Sequence, residues 1–245
     1  MARQRRLFLT GRPYFILLEG HNGNHCFYDE ACYRYYLTRL QHCLVHYQVA
    51  MHAYVLLPNE IQLLLTPGTP TGISQLMKMV GGAYVQYFNH RFERSGSLWK
   101  GRFKSCMVNS GQAFLDSQKY IELAPQRNGL GNHPGEYHWS SYCINAFGGH
   151  GRLLTAHEAY RTAAWPAGNR FHHYRRFIAA GFADGRLREL ESALRTGQAR
   201  LDPAAAGPDI KAIKKCRYTP MHSTSITRQS RDSDRHEQRF FYPFL

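Results

Sequence analysis

Acidic residues are scarce in this chain: 17 Asp and Glu stand against 31 Lys and Arg, a formal net charge of +14. That balance disfavours cationic ligands and suits a polyanion, because each phosphate neutralised by a basic side chain releases a counterion. Long apolar runs are missing too. None approaches the ~20 residues a membrane-spanning helix needs, so no membrane partner is expected. The segment "MARQRRLFLTGRPYF" is basic but carries no apolar stretch or small-residue cleavage site, so a signal peptide is not expected and the expected location is cytoplasmic. Six cysteines (Cys26, Cys32, Cys43, Cys106, Cys143, Cys216) form no CxxC pair. This argues against structural zinc and for free thiols in a reducing compartment.

What the chain does have is apolar mass and basic clusters. Of 245 residues, 43% are hydrophobic, with 16 tyrosines and 14 phenylalanines, enough for a packed core. The basic excess is not confined to one tail. It recurs over residues 3–12, over 91–104 and across the C-terminal third. Nucleic acid is therefore the expected partner class.

The order of elements can be read from periodicity and turn chemistry. "PYFILLE", 13–19, is an apolar strand. Asp29 is placed to cap a helix in which Tyr33, Tyr36, Leu37, Leu40, Leu44 and Tyr47 recur at helical spacing. His42 and His46, four apart on that helix, fit a solvated flank better than a metal site. Residues 50–57 and 60–66 are strands joined tightly at Pro58-Asn59. A second helix carries Ile73, Leu76, Met77, Val80, Tyr84 and Phe88 on one face. Its Gly81-Gly82 pair costs ~1 kcal/mol per glycine, which implies close packing or bending there. Residues 97–109 return to a strand-like pattern, and "GQAFLDSQKYIELA" is a third helix stopped by Pro125. The order β-α-β-β-α-β predicts an α+β, ferredoxin-like (RRM-like) antiparallel sheet, the split βαβ arrangement, with helices on one face. Residues 1–149 form that domain. Residues 150–200 are a helical C-terminal extension, with Thr155 and Glu158 as a candidate capping box. Residues 201–245 are a polar, basic tail expected to be disordered, ending in the apolar "FFYPFL".

The fragments "HAYVLLPN", "LMKMVGGAYVQYFN", "GSLWKGRFKSCMV", "YIELAPQRNGL" and "HWSSY" occur in order and with consistent spacing over residues 5–150. Together they resemble the REP-associated tyrosine transposases, in the single-tyrosine, insertion-sequence-200-like branch of the HUH endonucleases. The resemblance implies in-line attack by a tyrosine hydroxyl on a DNA phosphodiester, leaving a 5′-phosphotyrosine and a free 3′-OH. It also implies Mg²⁺ or Mn²⁺ as Lewis acid and single-stranded or hairpin DNA as substrate. In that family the ion is held by His-hydrophobic-His on a strand, where alternation puts both rings on one face. An amide four residues after the nucleophile, on the same helix face, completes the set.

Here the nucleophile position is Tyr120. The two histidine positions are Glu60 and Gln62, around Ile61, and the amide position is Ala124. The oxygen atoms of Glu60 and Gln62 suit a hard cation, but Ala124 ligates nothing. Two readings follow: a DNA-binding member whose cleavage is impaired or lost and which has no cofactor, or an active transposase with Glu60 and Gln62 as altered ligands. A third is a non-catalytic module for RNA or a protein. Gly82, Ala83 and Gln86 stand where relatives carry Arg. The expected DNA-contacting residues are Arg3, Arg5, Arg6 and Arg12, with Arg91, Arg94, Trp99, Lys100, Arg102 and Lys104. Basic residues interleaved with aromatics suit single strands, while alternation equally allows Trp99 and Phe103 to face the core. His52 is expected to be a sheet residue, and Trp139 and Tyr142 to close the core.

Overall fold

In the computed structural model, residues 6–148, 153–163, 169–183 and 185–196 are described; Arg3, Arg5 and the 201–245 tail lie outside them. Four strands, β1 (Tyr14–Glu19), β2 (Val49–Leu56), β3 (Glu60–Pro67) and β4 (Lys104–Met107), form one sheet in the order β2-β3-β1-β4. Every neighbouring pair is antiparallel. Helices α1 (Glu30–His46) and α2 (Gly72–Arg91) make the two crossovers, completing the expected split βαβ pattern.

The local signals act as their chemistry predicts. The Asp29 carboxylate accepts from Cys32 N at 3.0 Å and caps α1. Tyr33, Tyr36, Leu40 and Leu44 are buried along α1, whereas His42 and His46 are exposed. Leu57 N donates to Glu60 O at 2.9 Å and closes the Pro58-Asn59 hairpin. On α2, the Trp99 indole lies against Gly81: a Cβ there would meet Trp99 Nε1 at 3.6 Å, and that N–H donates to Gly81 O at 3.4 Å. The glycine thus admits an aromatic ring to the helix backbone, while a Cβ on Gly82 would meet nothing within 4 Å.

Both faces of the sheet are covered. α1 and α2 lie on one face, joined by the aromatic cluster of Phe27, Tyr33, Tyr36 and Tyr84. On the other face Phe15, Leu17, Val55, Leu64 and Cys106 share a core with α3 (Gly111–Glu122), α5 (Tyr142–Phe147), α6 (Glu158–Thr162), α7 (Arg170–Ala179) and α8 (Arg186–Thr196). Tyr160, Tyr174, Ile178, Leu190 and Leu194, all from the region of the helical extension, are buried in that core.

A β-bulge between Met51 and Ala53 makes His52 the extra residue of β2. Its ring packs on Phe114 and His157, with Nδ1 facing Thr155 O at 2.6 Å and Nε2 facing Thr66 Oγ1 at 2.8 Å. The carbonyl requires the proton on Nδ1, and Nε2 then accepts from the hydroxyl. Burial pushes the His52 pKa down to about 4, so the ring is neutral and structural.

Three expectations are corrected. The strand-like stretch 97–109 pairs regularly only over Lys104–Met107; Trp99 makes one isolated bridge to Gly20, and Trp99 and Phe103 are both buried. Pro125 does not stop the helix. Leu123 stays in the right-handed helical region and the chain passes directly into α4 (Ala124–Arg127), with Pro125 in its first turn, where a missing N–H costs nothing. The cap of α6 is His157, whose Nδ1 accepts from Ala159 N at 3.0 Å, not Thr155, which instead pairs its N–H with Met51 O.

Candidate active site and nucleic-acid surface

Alternation along β3 turns Glu60, Gln62 and Leu64 to the face that α3 covers. Glu60 and Gln62 are both buried and lie together: Gln62 Nε2 donates to Glu60 Oε1 at 2.5 Å. Gln62 Oε1 is buried without a partner. In register, Glu60 is opposite Glu19 of β1, so two carboxylates stand side by side at this end of the sheet.

Tyr120 is near the end of α3 and 1% exposed. Its ring makes an edge contact with Phe15 (5.9 Å between centroids) and is covered on a face by the Arg127 guanidinium at 3.9 Å. Arg127 also donates through Nη2 to Tyr120 O at 2.7 Å, while its Nη1 is buried without a partner. The Tyr120 hydroxyl donates to Glu191 Oε1 of α8 at 3.4 Å. Burial raises the pKa of this phenol, and Arg127 and Arg195 offset only part of the rise. A raised pKa leaves less phenolate at neutral pH, which is the wrong direction for a nucleophile.

Arg195, also on α8, ties these groups together. Its Nε donates to Glu191 Oε1 at 3.0 Å, and its Nη1 and Nη2 approach Glu60 Oε2 and Oε1 at 3.3 and 3.5 Å. Glu19 Oε1 is 4.0 Å from Nη1. Tyr120, Glu60 and Gln62, singled out from the sequence, are thus brought into one cluster. Ala124 is fully buried and supplies a methyl group.

This set does not fit a divalent ion. Glu60 faces a guanidinium, the Gln62 amide nitrogen is turned to Glu60, and the Ala124 position has no donor. Among the described residues, no group of three or more His, Cys, Asp or Glu is placed to hold a metal. The site is also closed from above. A cavity of 740 Å³ lies nearby, lined by Leu123, Arg127, Tyr142, Ile178, Phe182 and Leu187 among others, but neither Tyr120 nor Glu60 lines it.

Glu122, two residues on, points into the core beneath this cluster. Ser141 Oγ and Asn145 Nδ2 donate to its Oε1 at 3.0 and 2.7 Å, and Tyr174 OH to its Oε2 at 2.5 Å. Complete burial pushes its pKa up to about 7. It fastens α5 and α7 to α3 and takes no part in the Tyr120 cluster.

Arg195, Glu191, Arg127 and Glu19 have no assigned role in the sequence reading. Arg127 was legible as part of "YIELAPQRNGL", though not as the cover of the phenol. Glu191 and Arg195 read as an ordinary solvent-facing i, i+4 pair; nothing local joins Arg195 to a residue 135 positions away.

The basic residues fall into two groups. Lys100, Lys104 and Arg195 converge on Glu19, with Lys104 Nζ 2.8 Å and Lys100 Nζ 4.0 Å from its carboxylate, beside the Tyr120 cluster. Arg12, Arg94 and Arg102 are exposed, with Arg94 over the Phe88 ring. Arg91 pairs with Asp29 at 2.7 Å and reinforces the α1 cap. Arg6 donates to Phe103 O and lies over the Phe103 ring. Trp99 is 9% exposed and its ring packs against Tyr84 of α2, the core-facing placement that alternation allows. No described helix is long and apolar enough to cross a membrane.

Residues 14–124 match the family described as "Transposase IS200 like". No curated protein matches the chain. Among solved structures, the chain is similar to a REP-associated tyrosine transposase bound to a REP hairpin. The two are 15% identical, the match covers 69% of this chain and 98% of that one, and the TM-score is 0.50. A protein from Deinococcus radiodurans R1 described as a transposase is 20% identical over 50% of this chain and 96% of its own, at a TM-score of 0.35. At these identities the first likeness bears on the fold, whose sheet and helices it shares.

Proposed function

From the match of residues 14–124 to the IS200-like transposase family we propose that the chain is a member that holds hairpin or single-stranded DNA without cutting it. The ligand is carried over from the relative solved on a REP hairpin and agrees with the charge of +14. In this reading the DNA backbone is held by Arg12, Arg94, Lys100, Arg102 and Lys104, with Arg6 and Arg91 as further contacts and Arg3 and Arg5, outside the described residues, adding positive charge. Phosphate contacts of this kind give affinity and salt dependence rather than sequence choice.

The observation that carries the non-cutting half is the enclosure of Tyr120. Its hydroxyl is directed at Glu191 and the residue is 1% exposed. In-line attack requires a phosphorus atom within about 3–3.5 Å of that oxygen, and α8 stands in the way. The Glu60–Arg195 contact and Ala124 remove the means of polarising a phosphate by a bound ion.

Two measurements test the reading. Fluorescence anisotropy across a salt series compares a hairpin-bearing single-stranded DNA with RNA of the same sequence and with heparin. Preference for the DNA hairpin is expected, and equal binding of all three refutes it. A nicking assay with Mg²⁺ or Mn²⁺ is expected to give no product. A covalent 5′-phosphotyrosine adduct that disappears in Tyr120→Phe overturns the non-cutting reading and favours Glu60 and Gln62 as working ligands.

A further inference from the structure

Protein surfaces that take single-stranded nucleic acid combine cations with accessible aromatic rings on which bases stack. The cations are present here, but the aromatics interleaved with them, Trp99 and Phe103, are each only 9% exposed. Among the described residues, two Phe, Tyr or Trp side chains are exposed: Tyr28 and Phe147. Phe147 is on α5, where Arg175 lies over its ring at 4.8 Å and is itself fastened to Ala146 O. Tyr28 directly precedes the Asp29 cap of α1, and its ring centroid is 4.9 Å from those of both Phe88 and Phe92 at the end of α2. The ring planes cross at 71° and 56°, so neither neighbour stacks on the tyrosine. These contacts hold the ring in place, yet Tyr28 is 53% exposed.

The same two phenylalanines carry the nearest positive charges. The Arg94 guanidinium lies 5.4 Å from the Phe88 centroid and that of Arg91 lies 5.6 Å from the Phe92 centroid. Both arginines are exposed. Arg91 is paired with Asp29 at 2.7 Å, whereas Arg94 has no ion-pair partner among the described residues. One exposed phenol and two guanidinium groups thus share a single aromatic support. We propose that Tyr28 is a stacking platform for an unpaired DNA base, with Arg94 taking the adjoining phosphate. A tyrosine already fixed by two rings loses little conformational freedom when a base settles on it. The inference rests on the DNA binding proposed above and adds the place where an unpaired nucleotide is held.

The test is fluorescence anisotropy of the full chain in EDTA, with a blunt DNA hairpin and with the same hairpin carrying a short unpaired thymine flank. Wild type is expected to bind the flanked hairpin more tightly. Tyr28→Ala is expected to weaken that binding roughly 5- to 150-fold, the range for losing one stacked base, and to leave the blunt hairpin unchanged. Tyr28→Phe keeps the ring and is expected to match wild type. Arg94→Ala is expected to weaken both DNAs and to reduce the slope of log affinity against log salt by about one. Three results overturn the proposal while leaving DNA binding standing: equal affinity of wild type for the two hairpins, Tyr28→Ala that binds the flanked hairpin as wild type does, or Tyr28→Ala that loses both DNAs equally. Wild type that binds neither hairpin overturns this proposal and the proposed function together. If Tyr28→Ala is unfolded by circular dichroism, photocrosslinking of the wild type to iodouracil in the flank decides. A crosslink mapped to Tyr28 by mass spectrometry supports the proposal, and crosslinks confined to other residues overturn it.

Discussion

Glu122→Gln isolates the cost of a buried carboxyl in the core that joins α3 to the extension. An exposed Glu titrates near 4.5, and burial carries Glu122 to about 7. The native chain therefore binds this proton more tightly than the unfolded chain does. The stability the group contributes is fully present below about pH 4.5 and is lost as the pH rises through about 7. Each tenfold in proton affinity is worth about 1.4 kcal/mol, so the loss between pH 4.5 and 8 is about 3 kcal/mol. Glutamine keeps the shape and cannot ionise. It still accepts from Ser141 and Asn145, and the Tyr174 hydroxyl turns to accept from its amide. Relative to wild type, the variant should gain about 3 kcal/mol between pH 5 and 8, roughly 6–12 °C in Tm for a chain of this size. Neutral buried His52, held at about 4, acts in the opposite sense, adding stability as the pH rises from about 4 to 6.5. His157, also lowered by burial, adds to that. Both cancel in the difference between the two proteins. Urea denaturation at pH 5 and 8 reads that difference, and parallel pH profiles would refute the reasoning.

Trp99→Ala should cost about 3–5 kcal/mol in urea denaturation, because the ring packs on Gly81 and Tyr84. Once folded, the variant should keep its affinity for hairpin DNA; a selective loss of affinity without loss of stability would show that the ring stacks on a base. Gly82→Ala should raise stability by about 0.5–1 kcal/mol, read as an increase in Tm, since a Cβ there meets nothing and the helix gains propensity. Restoring Glu60→His, Gln62→His and Ala124→Asn together should give no metal-dependent nicking while Arg195 stays in place, and activity of that triple variant would show that α8 is no obstacle.

Much of the sheet was legible because its boundaries are local. Asp29 caps within its own turn, Pro58-Asn59 bends within two residues, and β3 alternates in plain view. Two of the three misread boundaries depend on partners far along the chain. Trp99 packs its ring on Gly81 of α2. Thr155 pairs with Met51 across the core, so its spacing from Glu158 has no capping role. Helical periodicity gave α1 and α2 their inward faces, but nothing in it shows that α6–α8 cover the opposite side of the sheet. The site divides in the same way. Glu60, Gln62, Tyr120 and Ala124 could be found from spacing within short motifs. Arg195 could not, since Glu191–Arg195 has the appearance of a solvated pair and its meaning comes from a strand 135 residues earlier.

The contact between Glu60 and Arg195 also makes the present arrangement hard to leave by single steps. Losing Arg195 strands a buried carboxylate, a change that costs about 3–5 kcal/mol in comparable settings. Changing Glu60 to a histidine sets an imidazole against a guanidinium that stays fastened to Glu191. The pair therefore couples β3 to α8 across 135 residues, so that a change at one position is felt at the other.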